Sequence, residues 1–126
     1  MSRFLLLAFL GIFRLTPSAL AQTATPFALP AAVANMLKQP RTVLLDVRTP
    51  DEFAAGHLKG AQNLNFRAPD FREQVAKLDT AQTYVLYCAS GNRSGQTRKL
   101  MEEVGFKKVV NAGGFKDLRA AGLESE

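Results

Sequence analysis

The chain has 126 residues, 47% of them hydrophobic and 21% charged, and a formal net charge of +5. That length supports one domain with a real core and excludes two, and the composition excludes a disordered or fibrous chain. A single cysteine and a single histidine exclude an internal disulfide and offer no Cys/His cluster for a metal.

The first 21 residues are set apart from the domain. Arg3 gives a small positive region, and Phe4–Phe13 is an apolar run too short to span a bilayer. Arg14 interrupts its end. Pro17 and Ser18 then lead into Ala19-Leu20-Ala21, an A-x-A cleavage pattern. A signal peptide over residues 1–21, cleaved after Ala21, is expected, with export to the periplasm. No cysteine follows the apolar run, so a lipid anchor has no attachment point and no stable membrane anchor is expected. Loss of Arg3 and Arg14 leaves a mature charge of about +3, spread along the chain. That spread argues against nucleic acid, and a modest positive field suits a small anionic substrate. In an oxidising compartment an unpaired cysteine is either buried and inert or a working thiol.

Residues 22–27 are expected to form a flexible leader, and residues 28–126 the domain. Ala28–Lys38 carries Leu29, Val33, Met36 and Leu37 on one side, which predicts a short amphipathic helix stopped by Gln39-Pro40. Val43-Leu44-Leu45 predicts a buried strand ending at Asp46. Thr49-Pro50-Asp51-Glu52 starts a helix, with Thr49 as N-cap, Pro50 at the first position and Glu52 closing a capping box. Gly56 ends it, His57–Gly60 forms a loop, and Ala61–Asn65 is a weak strand. Phe66, Phe71, Val75 and Leu78 fall at roughly helical intervals. Tyr84–Tyr87 is a second buried strand. The helix from about Arg93 to Gly105 is followed by a strand over Lys107–Val110. Asn111–Gly114 is expected to be a glycine turn, Phe115–Ala121 a last helix, and Leu123–Glu126 frayed. Strands alternating with helices point to a central parallel sheet of about five short strands with helices on both faces, an α/β fold. Ligands of such sheets sit beyond the carboxyl ends of the strands, where Asp46, Cys88 and Asn111 fall.

Chemistry concentrates in Tyr84–Arg98, YVLYCASGNRSGQTR. A strand delivers Cys88 to its end. Ala89-Ser90-Gly91-Asn92 is too small and turn-prone to continue it, and a helix follows. Loop N–H groups and a helix N-terminus hold an anion there, so a thiolate is favoured. Arg93 supplies a guanidinium, and the Ser90 and Ser94 hydroxyls supply further donors. Four residues separate Cys88 from Arg93.

The chain resembles the rhodanese family, whose active loop runs from cysteine through four residues to a cationic or polar residue opening a helix. Phosphatases and arsenate reductases built on a similar loop use one residue more, so the length favours sulfur over a tetrahedral phosphate. Further signatures match in order: Leu44–Phe53, with Asp46 and Arg48 before the capped helix; Gly56–Asn63, with the glycine–histidine turn; and Asn111–Phe115, with the double glycine. A tryptophan common shortly afterwards is absent here, and Leu118 is expected to fill its space. The resemblance implies an exported single-domain thiosulfate sulfurtransferase with Cys88 as nucleophile. Residues Ala89 to Ser94 would cradle the persulfide, and no metal or organic cofactor is implied. The expected partners are a small anionic sulfur donor and a thiophilic acceptor such as cyanide. An alternative is a persulfide carrier or interaction protein that serves a protein acceptor. Many relatives place arginine directly after the cysteine, where this chain has Ala89, which leaves the donor open. A direct role for Asp46, Arg48 and His57 competes with a structural one. For His57, a Cys–His pair in hydrolase or acyl-transfer chemistry competes with a hydrogen-bonded loop residue.

Overall fold

A computed structural model describes residues 27–126. The expected signal peptide and the leader as far as residue 26 lie outside the described residues. The elements run α1 (Pro30–Leu37), β1 (Thr42–Asp46), α2 (Pro50–Ala54), β2 (Gln62–Asn63), α3 (Phe71–Ala76), β3 (Thr83–Cys88), α4 (Asn92–Glu103), β4 (Val109–Gly114) and α5 (Phe115–Ala120). Among the described residues the sheet has four strands in the order β2-β1-β3-β4, all parallel, rather than about five.

Side-chain alternation sorts the two faces. Tyr84, Leu86 and Cys88 of β3 join Leu45 in a core with Phe71, Val75 and Met101, under α3 and α4. Val85 and Tyr87 point the other way, to Leu44, Val33, Phe115 and Leu118 under α1 and α5. Leu118 is 1% exposed there. In α1 only Val33 of the expected apolar side is fully buried, and Leu29 just before the helix is 68% exposed. Cys88 therefore points into the α4 side of a core that fixes its strand from both faces.

Two expectations are corrected. Asn111–Gly114 is strand, not turn: Tyr87 pairs with Gly113 and Cys88 with Gly114, past a register shift after Leu86. The parallel neighbour supplies hydrogen bonds that override the local preference of two glycines for a turn. The C-terminal segment is held rather than frayed. His57 and Glu126 exchange backbone hydrogen bonds of 2.9 and 2.8 Å, and Lys59 N–H donates to the Glu124 carbonyl at 2.9 Å. Phe27, the last residue of the expected leader, is 37% exposed, and its ring lies against Gly91 and Gly113. An ideal Cβ on Gly91 would lie 2.4 Å from its ring, and one on Gly113 3.2 Å from it.

Candidate active site

Strand β3 ends on Cys88, and three residues turn the chain into α4. Gly91 makes that turn at φ 91°, where a side chain would be strained. It is also the N-cap residue of α4 and offers no side-chain cap, so the first helical N–H groups are left for whatever the loop holds. Gly91 N–H donates to Cys88 Sγ with N···S 3.0 Å, and Ser94 Oγ lies 3.4 Å from the same sulfur. Cys88 has no solvent-exposed surface. Burial pushes its thiol up, but the Ser94 hydroxyl and the N–H groups of Ser94, Ser90 and Gly91 outweigh it, and the thiol ends below its ordinary value.

The loop residues divide by exposure. Ala89, Ser90 and Asn92 are exposed, whereas Gly91 and Ser94 are buried. Asn92 is occupied locally, its Oδ1 accepting from Gln96 Nε2 at 2.9 Å. Ala89 is pressed against β4, its carbonyl oxygen 2.6 Å from where a Cβ on Gly114 would stand.

Arg93 is not a free cation above the sulfur. Its guanidinium grips Glu52 of α2 with two hydrogen bonds, 2.7 Å to Oε1 and 3.0 Å to Oε2. The same Oε1 accepts from Thr49 N–H at 3.2 Å, so the capping box read from sequence also anchors the start of α4. Arg93 and Cys88 still interact electrostatically, but through an arginine whose charge is matched by a carboxylate. The thiolate therefore depends chiefly on hydrogen bonds. The Arg93 guanidinium and the Thr49 contacts hold the Glu52 carboxyl at about 2, down from 4.5. A depressed carboxyl stabilises the fold above its unfolded value and loses that contribution as pH falls through the folded one. Acid unfolding should therefore show a component between about 4.5 and about 2 that Arg93→Ala diminishes. Because the pair is partly exposed, its worth is about 1 kcal/mol or less. Melting curves of both proteins across that range measure it.

Asp46 and Arg48 form a closed unit at the end of β1. Arg48 Nε lies 3.0 Å from each Asp46 oxygen and Nη2 2.7 Å from Oδ2, and Nη2 also donates to the Gly56 carbonyl at 2.7 Å. The guanidinium lies 4.4 Å from the Phe115 ring centroid. Both residues are buried and face each other rather than the sulfur. His57 stacks on Phe53 at 3.8 Å, its Nδ1 lies 3.0 Å from the Phe53 carbonyl and its Nε2 lies 3.4 Å from Glu126 Oε1. Both ring nitrogens thus face partners in its own turn and the C-terminal segment. Among the described residues no group of His, Cys, Asp and Glu is arranged to hold a metal.

Two residues around the loop were not singled out from sequence. Glu52 stood out only as a cap, and its pairing with Arg93 spans 41 positions. Asn111 appeared at a strand's carboxyl end and inside the double-glycine signature, without a side-chain role. Its side chain reaches both Ser94 and Gly91.

A family model described as Rhodanese-like domain matches residues 29–121. The thiosulfate sulfurtransferase PspE of Escherichia coli is 36% identical over 74 residues, covering 59% of this chain and 71% of that protein. The thiosulfate:glutathione sulfurtransferase of Saccharomyces cerevisiae is 35% identical over 81 residues, covering 56% and 58%. The chain thus spans little more than half of this second relative. Among solved structures, a rhodanese with anions from E. coli is 32% identical at TM-score 0.57, covering 68% of this chain and 96% of that one. A rhodanese-related protein from Thermoplasma volcanium is 25% identical at TM-score 0.69, covering 79% and 96%.

Proposed function

The chain belongs to the rhodanese-like family, and on that premise we propose that it carries sulfane sulfur on Cys88 from thiosulfate or a related anionic donor to a thiophilic acceptor. The observation that carries this reading is a buried thiol receiving Gly91 N–H at 3.0 Å and facing the Ser94 hydroxyl at 3.4 Å, at the head of an uncapped helix. Those donors favour the thiolate, which is the nucleophile.

The cycle has two displacements. The Cys88 thiolate attacks the outer sulfur of thiosulfate. A new S–S bond forms, the old one breaks, and its electron pair leaves with sulfite. The negative charge now sits on the outer persulfide sulfur, which the N–H groups of Ser90 to Ser94 and the α4 terminus are placed to receive. Cyanide or a thiolate then attacks that sulfur and returns Cys88 to its starting charge. Because the resting thiol is fully covered, the exposed Ala89-Ser90 turn is the flank that admits the donor. Ala89 brings no cation there and Arg93 is held by Glu52, so donor binding rests on backbone amides. A small compact anion suits such a site better than a large polyanion.

The test is formation of thiocyanate from cyanide with a panel of donors, thiosulfate among them. Saturable turnover with thiosulfate is expected. Failure with every donor, together with an unmodified Cys88, overturns the proposal, whereas loading without turnover assigns the acceptor to a protein thiol.

Export belongs to the same proposal. It is supported by Arg3, the Phe4–Phe13 run and Ala19-Leu20-Ala21. Among the described residues no helix is long and apolar enough to cross a membrane. The exported protein should begin at Gln22 by intact mass. An exported form that retains Met1 contradicts cleavage.

A further inference from the structure

We propose that Asn111 is a positioning residue for Cys88, acting through the Ser94 hydroxyl. The inference rests on the reading of Cys88 as the working thiol. Asn111 lies on β4, 4% exposed, with its amide enclosed between the strand and the start of α4. Nδ2 donates to the Gly91 carbonyl at 2.9 Å, while Oδ1 accepts from Gly113 N–H at 3.0 Å and from Ser94 Oγ at 2.8 Å. These partners fix which end of the amide is which. A reversed amide would set its NH₂ against the Gly113 N–H and its oxygen against the Gly91 carbonyl.

The Ser94 hydroxyl has one proton and two acceptors within reach, Asn111 Oδ1 at 2.8 Å and Cys88 Sγ at 3.4 Å. A neutral thiol is a weak acceptor, so in the resting state the amide oxygen takes the proton. A thiolate is a charged acceptor and draws the proton to itself by rotation about the Ser94 Cβ–Oγ bond. When the charge moves out to a persulfide sulfur, Sγ is neutral again and the hydroxyl returns to the amide. Asn111 thus holds the Ser94 proton while the sulfur is neutral and yields it to the thiolate, and because Gly113 N–H still donates to its oxygen, neither state leaves that buried amide unpaired.

The charged groups around the thiol are few. Arg93 on α4 interacts with it, is paired with Glu52 on α2, and feels Asp46 at the end of β1. Asp46 is paired with Arg48. Strand β4 carries no ionisable side chain. Replacing Asn111 by a neutral residue leaves all these charges in place, so a change in thiol ionisation reports on hydrogen bonding.

The experiment is the pH dependence of Cys88 alkylation by iodoacetamide in the full chain, for Asn111→Ala and Ser94→Ala alone and combined. It uses no sulfur donor, so it stands whether or not thiosulfate is the substrate. Asn111→Ala removes the acceptor that competes for the Ser94 proton and is expected to lower the midpoint by about one pH unit, about a tenfold gain of rate on the acid side, whereas a raised midpoint overturns the proposal. In the Ser94→Ala background the same change should shift it by less than half as much, the signature of a shared pathway. If Asn111→Ala does not fold, Asn111→Ser, which keeps a short polar side chain on β4, reads the same shift. An unchanged midpoint beside a lowered melting temperature assigns Asn111 a purely structural part and overturns the proposal. Equal shifts in both backgrounds overturn it as well.

Discussion

Cys88→Ser is expected to abolish sulfur loading and thiocyanate formation while leaving the fold intact. An unactivated hydroxyl is not ionised near neutral pH and is a poor nucleophile toward sulfur, so activity should fall to background. The replacement is nearly isosteric. Gly91 N–H, Ser94 Oγ and the neighbouring loop amides already surround the position, so a buried hydroxyl there finds partners. The melting temperature should stay within a few degrees. Loss of activity with a large loss of stability would point instead to a structural cysteine, such as the many buried thiols that fill cores.

The second large effect concerns a residue that touches no substrate. Gly114 closes β4 beside Cys88, and a Cβ there would meet the Ala89 carbonyl oxygen at 2.6 Å and the Ala89 carbonyl carbon at 3.3 Å. Both are backbone atoms of the Cys88 loop and cannot swing aside as a side-chain end could. Gly114→Ala must therefore push the loop off β4, at a cost of about 1–3 kcal/mol for overpacking. The Gly91 and Ser90 amides move with the loop. Misplacing them by about 1 Å is expected to slow persulfide formation by roughly 10²-fold. Single-turnover loading rates, with urea melts alongside, measure both effects. A wild-type loading rate would show that the loop is not held in register by β4.

The sequence made the local features legible and hid those that depend on distant neighbours. Thr49, Pro50 and Glu52 lie within four residues and start α2 by their own chemistry, so the capping box is found where the pattern placed it. Strand, small-residue turn and helix around Cys88 follow equally from short-range preferences. The Arg93–Glu52 bond was not legible because its partners lie on two helices 41 positions apart, with β2, α3 and β3 between them, and no local pattern says which face each helix presents to the other. Asn111 and the two glycines looked like a turn because isolated Asn and Gly favour one. Pairing with β3 outweighs that preference and places the amide against Ser94. Glu126 looked free for the same reason: its hold is on His57, in a loop 69 residues earlier. The placement of the candidate thiol is thus a local property of the chain, whereas the way its donors are held in place is a property of the assembled sheet.

The central claim is that Cys88 carries sulfur as a persulfide. Incubation with thiosulfate, quenching by alkylation and mass analysis of the peptide containing Cys88 test it directly. A gain of one sulfur atom on Cys88, removed by cyanide, is the result expected. A peptide that stays unmodified with thiosulfate and with every other sulfane donor, its thiol alkylating freely, would contradict the account.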